Sequence, residues 1–159
     1  MVAKDRLQEA EVHEERAKRN LKVFANTFRG EKSQIINRGV TMLMELANKI
    51  SPYARYLNVR TLDLCLVYGL EKRGAYKSGN LLGRVAAKGA SGAISLVLNQ
   101  KVPEKIEVAV NQDNPQAFLL TLAVALSDDF PYLDTGLEQR STFFKEVGTL
   151  IKNLSESSQ

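Results

Sequence analysis

Residues 113–129 read DNPQAFLLTLAVALSDD, and this stretch decides what kind of fold the chain can make. From Ala117 to Leu126 it is apolar on nearly every face of a helix, so it has no side to offer to water. Asn114 can cap the first turn through its side-chain oxygen, and Pro115 stands where a helix loses nothing by lacking an N–H. A helix that must be buried all round needs neighbours on every side, and the rest of the chain supplies them as one-sided stripes.

Upstream, Leu7, Ala10, Ala17, Leu21, Phe24 and Phe28 recur at spacings of three and four, interrupted only by Glu14, and predict a long amphipathic helix over 3–28. Gly30 is a natural stop and Ser33 a candidate cap for a second helix over 34–50, with Ile36, Val40, Leu43, Ala47 and Ile50 on one face. Pro52 breaks the pattern, and Asn58 can then cap a third helix carrying Val59, Leu62, Leu66 and Leu70. Beyond Gly79, Asn80 is a candidate cap for Leu81, Val85, Ala93 and Val97. Glycines 83, 89 and 92 lie among them, so either a helix breaks near Gly89 or another backbone comes close.

Downstream, the alternation of KIEVAV, 105–110, reads as a strand, although nothing else in the chain offers it a partner. The last stripe, over 135–154, opens with a capping box from Thr135 to Glu138 and carries Leu137, Phe144, Val147, Ile151 and Leu154. The expected fold is therefore all-α: one helical domain over 1–154, a bundle of about five to seven helices, followed by a disordered tail, 155–159. The alternative is an α+β fold with a small sheet near 105–110.

The totals agree with one ordinary domain. A chain of 159 residues buries roughly two-thirds of its unfolded surface, enough for a core of its own. With 44% hydrophobic and 25% charged residues, disorder of the bulk is not expected. With a single cysteine, Cys65, no intramolecular disulfide can form, and its place inside the apolar run LDLCLVY predicts a buried, inert thiol. No apolar run is long enough for a membrane span or a signal peptide, and a reducing cytoplasm is the expected location.

Charge is distributed unevenly. The net +4 conceals a stretch from Lys72 to Pro103 with six cations and no anion, followed by an acidic one, 104–140, whose balance is −5. Within the basic stretch, GAYKSGNL, 74–81, has the two-glycine spacing of a phosphate-binding P-loop. That chemistry needs a lysine and a hydroxyl after the second glycine, where Asn80 and Leu81 stand. Gly89 and Gly92 have the spacing of a KH-type clamp but lack the sheet such a domain requires. Tyr68 and Lys72 are four apart, as in short-chain dehydrogenases, without a dinucleotide fingerprint. His13 is the sole histidine and reads as a solvated side chain, so neither a zinc site nor a histidine triad can be assembled.

What remains is a cationic patch of Lys72, Arg73, Lys77, Arg84 and Lys88 with Tyr76, glycine-rich enough for close backbone approach. Such a patch neutralises phosphates and can stack a base on the tyrosine. Its plainer explanation is a solubilising surface. Asp128, Asp129 and Asp134 form an acidic counterpart, two of them at a helix C-terminus where the dipole disfavours them. They want cationic neighbours, which a protein partner, a basic face of this chain or a metal could provide.

A small, basic, mostly helical chain carrying KRGAYKSGNLLGRVAAK between helical stripes resembles the small subunits of CRISPR surveillance complexes. That resemblance implies a helical bundle lining the nucleic-acid channel beside the crRNA-bearing filament, and it assigns no individual residue. The expected function is a non-enzymatic, sequence-independent contact to DNA or RNA backbone within a larger assembly, with no cofactor and no metal. The alternative is a structural, adaptor or viral assembly protein that self-associates through its helices.

Overall fold

The computed structural model describes residues 2–75, 101–130 and 136–157. Among them are six α-helices and no strand: α1 (Val2–Asn26), α2 (Glu31–Ile50), α3 (Arg55–Lys72), α4 (Lys101–Asn111), α5 (Pro115–Ser127) and α6 (Gly136–Ser157), with a 3-10 turn at Pro52–Ala54 before α3. The all-α expectation holds, and the small sheet does not. Residues 105–110 belong to α4, where Val102, Ile106, Ala109 and Val110 are buried while Val108 points out at 52% exposure. Burial thus follows the helical period, and the alternation of Ile106, Val108 and Val110 is incidental to it.

The apolar helix α5 is the centre, in contact with α2, α3, α4 and α6. Asn114 caps it as expected, its Oδ1 accepting the Ala117 N–H at 3.1 Å. Phe118, Leu119, Leu122 and Leu126 are fully buried. Phe118 packs 4.7 Å from Phe24 of α1, which in turn meets Phe28 edge-on at 5.2 Å, and a second pair, Phe130 and Phe143, closes the far end at 5.1 Å. Two glycines let helices approach. A side chain at Gly39 of α2 would run into Leu119, and a Cβ at Gly69 of α3 would lie 2.8 Å from the Phe24 ring. α1 lies along α3, the most extensive pairing in the bundle.

Several local expectations shift. α2 starts at Glu31 with Gly30 as its cap residue at φ 61°, a left-handed conformation that glycine adopts without penalty, so Ser33 lies inside the helix. α3 starts at Arg55, three residues before Asn58, which is wholly buried in the helix with neither side-chain polar atom bonded. In α6 the inner face holds Phe143, Val147, Leu150 and Leu154, while Phe144 is 39% exposed and Ile151 half-buried. The helix continues past Leu154 to Ser157, so the first residues of the expected tail are helical. The expected helix beyond Asn80 and the capping residue Thr135 lie outside the described residues. No helix among the described residues is long and apolar enough to cross a membrane.

Candidate nucleic-acid interface

The basic stretch begins at the end of α3, and that end is closed by a complete C-terminal motif. The Ala75 N–H bonds the Leu70 carbonyl at 3.0 Å and the Gly74 N–H bonds that of Glu71 at 3.0 Å, with Gly74 at φ 69°. The α4–α5 turn repeats the arrangement. Asn114 N–H reaches Ala109 at 2.9 Å and Asp113 N–H reaches Val110 at 3.2 Å, with Asp113 taking the left-handed position at φ 53°.

Arg73 joins the two ends. Its guanidinium donates to the Asp113 carboxylate and sits over the core, with Cζ 3.9 Å from the centroid of the Phe28 ring. Lys32, just past the α1–α2 turn, reaches the other Asp113 oxygen at 2.9 Å. These bonds, from Arg73 first and then Lys32, hold the Asp113 carboxyl below its usual range. Arg73 is therefore engaged within the chain, and what it does here is fix where the basic stretch begins. Lys72 is held more loosely, 3.9 Å from Glu107 and 5.4 Å over the Tyr68 ring. Tyr76, Lys77, Arg84 and Lys88, the remainder of the expected patch, lie outside the described residues.

The acidic residues fall on the opposite terminus of α5. Asp128 is exposed, whereas Asp129 is half-buried and accepts the Thr61 hydroxyl of α3 at 2.6 Å. Burial pushes the Asp129 carboxyl up to about 7, the charge of Asp128 adding to the rise while Thr61 and Arg60 oppose it. Burial also raises Asp128, against the pull of Arg140. Arg140 of α6 supplies what a helix C-terminus wants, donating to the carbonyls of Ser127 and Phe130, each at 3.1 Å. Asp134 lies outside the described residues, and among those described no three His, Cys, Asp or Glu side chains converge as a metal site would require.

One polar cluster has no counterpart among the sequence expectations. Asp63 of α3 is buried and receives Arg16 Nε at 2.7 Å and Asn20 Nδ2 at 3.0 Å from α1, while Arg16 also donates to His13 at 2.8 Å. His13 is thus partly enclosed between Arg16 and the edge of Tyr56, 6.1 Å away, instead of solvated. The signal was present in the spacing: His13, Arg16 and Asn20 recur at three and four, alongside the apolar stripe. Cys65 is fully buried as expected, and burial raises its thiol far above the ordinary range, leaving it inert.

No protein-family model, curated protein or solved structure matches the chain.

Proposed function

We propose that the chain is a non-enzymatic subunit that holds nucleic-acid backbone, without regard to sequence, inside a larger nucleoprotein assembly. The observation that supports this reading is the stretch of six cations and no anion over 72–103, rooted between α3 and α4. Its first arginine is spent on fastening that root, so the cations that follow are the ones to meet phosphate. Affinity would come from counterion release and fall steeply with salt. Base sequence would be chosen elsewhere, by a guide strand or another subunit, as the resemblance to CRISPR small subunits implies for a bound target or displaced strand.

The test is fluorescence anisotropy with labelled single-stranded and duplex oligonucleotides across a salt series. The wild type is compared with a variant carrying Lys77→Glu, Arg84→Glu and Lys88→Glu. Arg73 is left unchanged because its removal would strip Asp113 of a partner. Salt-sensitive binding that the variant loses supports the reading; absence of salt-sensitive binding by the wild type overturns it.

One observation favours a second reading. Val108 and Leu120, 52% and 50% exposed, border a shallow apolar groove between α4 and α5 with Ala117 and Val124. A self-associating structural or adaptor protein would use such a face, and light scattering that rises with concentration in the absence of nucleic acid would favour it.

A further inference from the structure

α1 carries a second concentration of positive charge, on described residues and on a rigid element. From Arg16 to Gly30 the chain has five cations and no anion. Arg16 turns inward to Asp63; Lys18, Arg19, Lys22 and Arg29 are exposed, and none makes an ion pair among the described residues. At 3.6 residues per turn the three helical ones fall within about a 100° arc, so they form a single stripe along the outside of the bundle.

Two ordinary explanations fail here. Cations near a helix C-terminus can be placed by the dipole, but that effect is confined to the last turn, and the last turn of α1 has no basic residue. Intrachain pairing is the other. The fold does pair Arg16, Lys32, Arg55, Lys72 and Arg73 with carboxylates, yet Glu15, four residues before Arg19 and exposed, forms no bond with it. Lys18 and Lys22, four apart, and Arg19 and Lys22, three apart, instead repel each other along the helix.

The stripe also leads somewhere. α1 ends at Asn26, Arg29 follows, and the ring of Phe28 between them is the surface on which Arg73 lies. The C-terminal end of α1 is thereby joined, through the buried Phe28 ring, to the end of α3 where the basic stretch begins. From Lys18 to the helix end is about 12 Å, the axial length of roughly three to four phosphates of one duplex strand.

We propose that Lys18, Arg19, Lys22 and Arg29 form a second phosphate-contact surface, which receives the continuation of a strand held by the basic stretch. This inference rests on the nucleic-acid reading above, and its test separates the two. Wild type is compared with three variants by anisotropy, using fluorescein-labelled oligouridine and a random-sequence DNA duplex between about 50 and 200 mM salt. The first variant carries Lys18→Gln, Arg19→Gln and Lys22→Gln, substitutions that relieve repulsion on an exposed face and leave the core untouched. The second carries Lys77→Gln, Arg84→Gln and Lys88→Gln. The third carries Lys145→Gln and Lys152→Gln on the exposed face of α6, as a control for charge alone.

The expected result is that the α1 variant keeps wild-type helicity while the slope of log K against log salt shrinks by about 2, three contacts at about 0.7 each on a single strand. The α6 control keeps the wild-type slope. If the α1 variant matches the control while the 77/84/88 variant loses binding, the second surface is refuted and the nucleic-acid reading stands. If the wild type shows no salt-dependent binding, both fall.

Discussion

Replacing Asp129 by asparagine should make the protein more stable above neutral pH and should change how its stability depends on pH. The Asp129 carboxyl is raised from 3.8 to about 7, chiefly by burial against α3. Below 3.8 it is protonated in both the folded and the unfolded chain and has no effect on the balance. Between 3.8 and about 7 the unfolded chain releases a proton that the folded chain retains, so stability falls as pH rises. Above about 7 both forms are ionised and the penalty is complete. At about 1.4 kcal/mol per pKa unit the full loss is about 4 kcal/mol, trimmed to about 2–4 kcal/mol by the solvent that still reaches the carboxyl. Asparagine keeps an oxygen for the Thr61 hydroxyl and has no charge to bury. Urea unfolding of wild type and Asp129→Asn at a series of pH values checks this. The two should converge near the acid end and separate by at least about 2 kcal/mol at pH 8, or by about 4–8 °C in Tm for a chain of this size. Because Asp128 is present in both proteins, only the difference between them is diagnostic. Curves that run parallel across pH would refute the reasoning.

Gly39→Ala should cost about 1–3 kcal/mol, since the new methyl meets the branched end of Leu119, and pairing it with Leu119→Ala should cost less than the sum of the two single changes in denaturant unfolding. Arg16→Ala should destabilise by about 3 kcal/mol because it leaves the Asp63 carboxylate buried with Asn20 as its remaining hydrogen-bond donor and His13 no nearer than 3.8 Å. Asp63→Asn should cost less, the freed Arg16 having access to water, and thermal unfolding that ranks them the other way would contradict this assignment. Asp113→Gly suits the left-handed backbone at that position while removing the carboxylate from Arg73 and Lys32. In the salt series its slope should steepen by about 1 to 2 as those cations become available to phosphate.

The parts of this fold that were readable from sequence are those set by neighbours a few residues away. Asn114 and Pro115 announce the start of α5 because capping is a contact across three residues, and the stripes of α1, α2 and α3 follow from the helical period alone. The alternation of 105–110 imitates a strand because an eleven-residue amphipathic helix contains short alternating runs, and six residues cannot tell the two periods apart. Phe143 and Phe144 are adjacent, so either fits a loose stripe; the choice is made by Phe130, which meets the first edge-to-face. The role of Arg73 was invisible for a different reason: Asp113 is 40 residues away, and nothing local marks the two as partners. The inward turn of Asp129 likewise depends on Thr61, 68 residues distant.

The all-round apolarity of α5 has one more consequence. A helix with the same greasy surface on every side gains almost as much from burial when rotated about its axis or slid by a turn, so hydrophobicity alone leaves many arrangements nearly degenerate. The bundle lifts that degeneracy with a few discrete fixtures. Asn114 marks one end and the Arg140 guanidinium grips the carbonyls at the other. Midway, Leu119 fits only where α2 has no side chain, and a slide of one turn along α2 would set it against Ile35 or Leu43. Most of the stability of the fold comes from its interchangeable apolar residues, and its uniqueness comes from these three positions.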